Sequence, residues 1–298
     1  MTMLKLDVYT LNEEEWSYQQ LFRLWREANG DGMDVQFDFT GCGFLRQNAV
    51  AFLGGLARLI EYRGGRVTFA WDTLHGDVGA NLAQNGFMET FGGLRKPWPG
   101  NSIPFRHDLN QDAHAFENYL TRLWLGRGWV NVSTALASAI VGNMAEIYLN
   151  AFEHGQSPIG IFACGQYFPK NRELNLAIVD FGVGIPSNVR LYKAHERRPE
   201  QLRATNCMEW AFQSGTSTKQ GDSDEPRGLG LDLLHDFVRK NGGRLEMFSH
   251  EGYALIADGN ISFADRSQFF EGTLVNISLK CDESFYCLAS EIDEDPLF

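Results

Sequence analysis

The chain has 298 residues, 44% of them hydrophobic and 21% charged, and its formal charge is −12. These values exclude wholesale disorder, which needs low hydrophobicity, and predict a globular chain of about two domains. The acidic balance disfavours sequence-independent nucleic-acid binding, because a polyphosphate backbone repels it at long range.

The most apolar stretch, 49–60, carries Arg58 and is too short to span a bilayer. Residues 1–9 lack a signal-peptide core and soon meet Glu13, Glu14 and Glu15. Five scattered cysteines without a C-x-x-C pair argue against a zinc site and a disulfide framework. The expectation is a soluble, cytoplasmic protein without membrane contact, in which Asn-x-Ser triplets such as Asn131-Val132-Ser133 are chance matches.

In chain order, 4–9 alternates like a strand, and 14–28 places Leu21, Leu24, Trp25 and Ala28 at helical spacing. Asn29-Gly30-Asp31-Gly32 is a helix stop. A strand at 35–39, an amphipathic helix at 49–62 ended by Gly64-Gly65, a strand at 67–70 and a helix at 78–86 complete a small α/β unit. Pro97, Pro99, Gly100 and Pro104 predict a linker, with a domain boundary near 100–110. Beyond it the pattern predicts helices at 112–125 and 134–154, then strands at 159–168 and 174–179. A loop-and-helix region at 182–228, a helix at 229–241 and strands at 244–249, 253–258 and 273–280 follow. The division is thus 1–105, 106–285 and an acidic tail at 286–298.

Four motifs in the second domain carry chemistry. Glu146, Asn150 and His154 are four apart on one helix, so they share a face. Asn150 offers Mg²⁺ a neutral oxygen, and Glu146 can act as general base; the same residues also read as a solvated polar stripe. Asp180-Phe181-Gly182-Val183-Gly184-Ile185-Pro186 follows an apolar strand. Its carboxylate is an acceptor suited to a purine amine, and its glycines permit a tight turn beside a flat ligand. An ordinary strand-to-loop turn has the same look. Gly228-Leu229-Gly230-Leu231, preceded by Arg227, opens a helix whose free N–H groups suit phosphate. Gly215-Thr216-Ser217-Thr218-Lys219 supplies hydroxyls and an ammonium upstream, in a lid. Thr273 enters the last strand.

In their order and spacing these pieces resemble the GHKL ATPase superfamily (gyrase, Hsp-type chaperones, histidine kinases, MutL), whose nucleotide site is the Bergerat fold. Glu146 and Asn150 match its N box, Asp180-x-Gly182-x-Gly184 its adenine-binding glycine box, and Gly228-x-Gly230-Leu231 its second glycine box. Thr273 matches the threonine of the final strand. Over about 112–280 the nearest likeness is to anti-sigma-factor serine kinases and histidine-kinase catalytic domains. The resemblance implies ATP and Mg²⁺ held between a sheet and its helices in an α/β sandwich. Asp180 would take the adenine amine with Thr273 in support, Asn150 the metal, Glu146 the base role, and 182–230 the lid over the phosphates. Ile185, Gly215, Thr216, Ser217, Lys219, Arg227, Leu229 and Leu231 join the nucleotide-binding set.

Two departures stand out. Glu153 occupies a position where many such kinases carry a phosphate-holding Lys, so phosphate holding depends on Lys219 or Arg227, which also read as plain solvated lid charge. His154 reads either as a nucleotide neighbour or as a helix-end residue before the Gly155 C-cap. The nearest upstream histidines, His107 and His114, do not match a histidine-kinase phosphoacceptor, which argues against an ordinary sensor kinase.

The first unit, with 34–49 followed by a helix, Gly64-Gly65 and a strand, resembles the STAS fold of anti-sigma-factor antagonists. Where a phosphorylatable STAS domain has Asp-Ser-Ser-Gly, this chain has Arg46-Gln47-Asn48-Ala49. No hydroxyl is there to accept phosphate, so the unit reads as a docking or dimerisation scaffold. The expected function is Mg²⁺–ATP-dependent regulatory kinase or ATPase action on a protein partner that is STAS-like, sigma-factor-like or response-regulator-like. The alternative is an ATP-gated binding switch without significant turnover, and a homodimer fits either.

Overall fold

In the computed structural model, residues 3–194, 202–213 and 232–292 are described. The first unit is a three-stranded parallel sheet, β1 (Leu4–Asp7), β2 (Val35–Asp38) and β3 (Val67–Phe69), in that order. Helices α1 (Glu15–Glu27) and α2 (Gln47–Tyr62) make its crossovers, and α3 (Gly76–Gln84) and α4 (Phe87–Thr90) follow. Parallel neighbours require such crossovers. α1 ends where expected, Gly32 taking φ +64° in the stop, and Gly64 ends α2 at φ +81°.

The second unit is a seven-stranded sheet, antiparallel between all neighbours. Its strands are β4 (Ser102–Asp108), β5 (Ile161–Phe168), β6 (Glu173–Asp180), β7 (Arg244–Ser249), β8 (Gly252–Ala257), β9 (Asn260–Asp265) and β10 (Thr273–Lys280). They lie in the order β4-β5-β6-β10-β7-β8-β9. Its helices are α5 (Ala113–Tyr119), α6 (Thr134–Glu153), α7 (Gly184–Tyr192), α8 (Ala204–Ala211) and α9 (Asp232–Asn241). The Ser133 hydroxyl caps α6 by accepting from Leu136 N–H at 3.1 Å.

The sequence reading omits two strands. β4 occupies the expected linker. It lies at the sheet edge and shifts register between Ile103 and Arg106, where Pro104 costs no ladder bond. β9 returns from β8 across Asp258-Gly259, both at positive φ, the pairing a two-residue hairpin turn favours. The helix expected at 112–125 is α-helical only to Tyr119; a π turn (Leu120–Trp124) and a 3₁₀ turn (Leu125–Arg127) follow. A Cβ on Gly126 would come within 2.1 Å of the Thr121 carbonyl oxygen, so this tightening depends on that glycine. No described helix is long and apolar enough to cross a membrane.

Alternation along the strands gives the large sheet two different faces. On β6, Leu174, Leu176 and Ile178 pack with α5, α6 and α9, while Ala177, Val179 and Phe181 pack with the first unit. α2 is sandwiched between the small sheet and this second face, so residues 47–57 are all buried. That burial on every side accounts for its apolar composition. Gly54 and Gly55 lie where α2 meets the large sheet: a Cβ on Gly55 would come within 2.2 Å of the Phe181 ring, and one on Gly54 within 2.4 Å of the Phe105 ring. The helix accepts the cost of two interior glycines, roughly 0.5–1 kcal/mol each, in exchange for close aromatic approach. Phe22, Phe52, Phe181 and Phe270 fill the joint, with Phe22 stacked on Phe270 at 4.7 Å.

A polar knot completes the seam. The Glu13 carboxylate accepts from Gln47 Nε2 and Asn175 Nδ2 at 2.8 Å, from Asn276 Nδ2 at 3.1 Å and from Arg46 at 2.9 Å. Arg46 also reaches Glu173 at 3.3 Å and lies over the Phe168 ring.

Candidate functional site

Three strands end together where β6, β10 and β7 run side by side. Asp180 is opposite Thr273, and Thr273 is opposite Ser249. By alternation all three side chains lie on the helix-covered face of the sheet, opposite the first unit. Asp180 is 2% exposed. Its Oδ1 accepts from Gly182 N–H at 2.9 Å. Burial pushes the Asp180 carboxyl up to about 7, against the opposing pull of hydrogen bonds from Gly182 and Thr273.

The glycines are there for steric reasons. A Cβ on Gly182 would lie 1.8 Å from the Gly155 carbonyl oxygen, which accepts from Val183 N–H at 2.7 Å. Gly184 has φ +72°, and a Cβ there would meet the His250 ring and the Ser249 hydroxyl within 3 Å. Gly155 packs closely beside Asp180: a Cβ there would be 2.3 Å from the Ala151 carbonyl oxygen and 3.2 Å from Asp180 Oδ1. The turn after α6 and the turn after β6 are thereby pressed against each other at the buried carboxyl. Asn188 joins them again, its Nδ2 donating to the carbonyls of His154 at 2.8 Å and Gly184 at 3.2 Å.

Ser249 fastens the third strand to this corner. Its hydroxyl accepts from Ile185 N–H and donates to the Gly272 carbonyl, both at 2.9 Å, and lies 3.2 Å from the Thr273 hydroxyl. His250 Nε2 meets the Val183 carbonyl at 2.9 Å, and burial lowers the imidazole from its ordinary range. Sequence reading passes over Ser249, His250 and Asn188, because only the strand register and the α7 turn bring them to Asp180. No local motif marks them.

Of the expected site residues, Asp180, Gly182, Gly184, Ile185 and Thr273 are therefore assembled at one corner, with His154 at its edge. Asn150 and Glu146 precede His154 by one and two turns of α6, about 5.4 Å per turn. Asn150 is half-buried and Glu146 exposed, and the side chain of each lacks a hydrogen-bond partner among the described residues. Desolvation raises the Glu146 carboxyl above its ordinary value. Gly215, Thr216, Ser217, Lys219, Arg227, Gly228, Leu229, Gly230 and Leu231 lie outside the described residues. Among the described residues no cluster of three or more His, Cys, Asp or Glu side chains is placed to hold a metal ion.

Asp180 makes stability depend on pH. Its carboxyl titrates near 3.8 when exposed and about 7 here. Between those values the native state keeps a proton that the unfolded chain releases. Ligand-free stability should therefore fall as pH rises through that window, by about 4 kcal/mol, and level off above it. Urea melts at pH 5 and pH 8 check this; a contribution that rose with pH would contradict the buried carboxyl.

Comparison with protein-family models and with curated proteins yields no match to this chain.

Proposed function

We propose that the chain is a GHKL-type, Mg²⁺–ATP-binding protein of Bergerat fold, a regulatory kinase or ATPase acting on a protein partner. The observation that carries this reading is the buried Asp180 carboxyl, set against Thr273 and beside the close-packed glycines 155, 182 and 184. A buried carboxylate held by the hydrogen bonds of Gly182 and Thr273, with no cation among the described residues beside it, is costly to ionise. A purine amine donating to it would offset that cost.

The order of elements supports the same reading. Helix α6 with Glu146 and Asn150, the hairpin β5–β6 ending at Asp180, then α7, and finally β10 entering at Thr273 follow the motif order of that superfamily. The nucleotide would lie between the sheet and its helices, on the face opposite the first unit. Asn150, half-buried with a free amide, fits a Mg²⁺ ligand that leaves the remaining positions to phosphate and water. The metal would supply charge neutralisation on the phosphates. Glu146, exposed and raised by desolvation, fits a general base that takes a proton from the attacking hydroxyl.

The STAS-like reading of the first unit is supported by its parallel sheet and crossover helices. Residues 46–49, the acceptor position of phosphorylatable STAS domains, lie in the seam: Gln47 and Asn48 are at most 1% exposed. That burial favours a scaffold over a phosphate acceptor.

Incubation with Mg²⁺ and γ-labelled ATP tests the reaction. Label should pass to phosphate or protein with wild type, and Glu146→Gln should slow this at least 100-fold with ATP affinity unchanged. If wild type binds ATP and leaves it intact, the chain is an ATP-gated switch or a kinase silent without its partner, and the search turns to what docks on the first unit. If wild type does not bind ATP, both fall.

A further inference from the structure

A cleft opens on the opposite face of the sheet, between α1 and β7–β8, with a cavity volume of about 120 Å³. That is below the roughly 300–1,000 Å³ usual for drug-sized ligands and close to the roughly 150 Å³ that takes up a single benzene ring. Its walls are aromatic. Tyr18 lies against Phe248 at 4.2 Å, and Phe248 against Tyr253 at 4.7 Å.

The two arginines of the cleft are differently engaged. Arg244 donates to Glu246 at 2.6 Å, and Glu246 also accepts from the Tyr18 and Tyr253 hydroxyls. Glu246 is 2% exposed and fully partnered, so it compensates the Arg244 charge, although Arg244 Nε–H, like that of Arg266, is buried without an acceptor. Arg266 is different. Its guanidinium lies over the Tyr253 ring at 4.2 Å, and its one side-chain acceptor among the described residues is Glu15, at 3.4 Å. Glu15 is on the rim with 61% of its side chain exposed, and Arg266 Nε–H is buried without an acceptor. The cation is held in place by stacking, and Glu15 is the one side chain among the described residues that accepts from it.

We propose that this cleft binds a small aromatic carboxylate. The carboxylate takes the place of Glu15 on Arg266, whose planar fork suits two-point pairing with a carboxylate. The ring lies in the cleft against the edges of the mutually packed Tyr18, Phe248 and Tyr253 rings, where aromatic contacts are favourable. Glu15 turns out to solvent, so its charge competes with the ligand rather than assisting it. Because the walls come from α1 and from β7–β8, the ligand bridges the two units and stabilises the folded chain by mass action. The proposal stands apart from the nucleotide reading, since the cleft lies on the other face of the sheet.

Isothermal titration and thermal melts of the full chain with benzoate, 4-hydroxybenzoate and 3-phenylpropanoate test it, with benzamide as the neutral control. Wild type should bind a carboxylate saturably and melt at higher temperature with it, and benzamide should do neither. Glu15→Gln, a rim change that spares the fold, should tighten binding three- to tenfold. Arg266→Gln should weaken it at least tenfold. The proposal is overturned if none of the three carboxylates saturates, if benzamide binds equally well, or if Glu15→Gln and Arg266→Gln both leave affinity unchanged.

Discussion

Replacing Asp180 by Asn is expected to abolish nucleotide binding and, at the same time, to stabilise the ligand-free protein above pH 7. Asn is nearly isosteric and keeps an oxygen for the Gly182 N–H that Asp180 Oδ1 accepts. The second position becomes an NH₂ donor, and it would face the amine of a purine, which is also a donor. Two donors meeting in a buried corner leave both unsatisfied, so ATP affinity should fall at least 100-fold by titration calorimetry. The stability change has the opposite sign. Burial pushes the wild-type carboxyl up to about 7, so above that pH the native state carries a buried charge that Asn lacks. Urea melts should show the variant more stable at pH 8, with the difference smaller at pH 5 and closing only near the exposed value of 3.8. A group that serves only the fold would not show this exchange of stability for binding. Unchanged ATP affinity in a folded Asp180→Asn protein would end the nucleotide reading.

The corner around Asp180 was legible in the sequence to the extent that its residues are close in the chain or occupy recognisable turns. Asp180, Gly182 and Gly184 follow an apolar strand directly, and the glycines mark places where no Cβ fits. Ser249 was not legible. It ends an ordinary strand and acquires meaning only through its register with Thr273 and its bond to Ile185 N–H. The same limit applies to β4, where Pro104 reads as a linker until the strand is known to lie at an edge. The docking of the first unit on the sheet was also hidden. The apolar surround of α2 signals burial without naming the partner, and Gly54-Gly55 inside a helix explains itself only once Phe105 and Phe181 are seen against it.

The seam offers the other large effect. Glu13→Ala should destabilise the chain by about 3–5 kcal/mol, the range for breaking a buried charge cluster by removing one partner. The Glu13 side chain is 16% exposed and receives amide donors from Gln47, Asn175 and Asn276 as well as Arg46. Truncation leaves three amides short of an acceptor and Arg46 with Glu173 alone, at 3.3 Å. Because the two units share one aromatic core, urea unfolding should stay a single transition, with its midpoint lowered and its slope unchanged. A loss below 1 kcal/mol would mean that water replaces the carboxylate and the knot is not a lock. The same variant separates the two functional readings. Asn175 and Asn276 project from β6 and β10 toward the first unit, while Asp180 and Thr273, on the same strands, project toward the helices. If the first unit is a scaffold, a looser seam leaves the ATP affinity of the folded protein within twofold of wild type. If the chain is an ATP-gated switch working through that seam, linkage is reciprocal and the affinity must move with it.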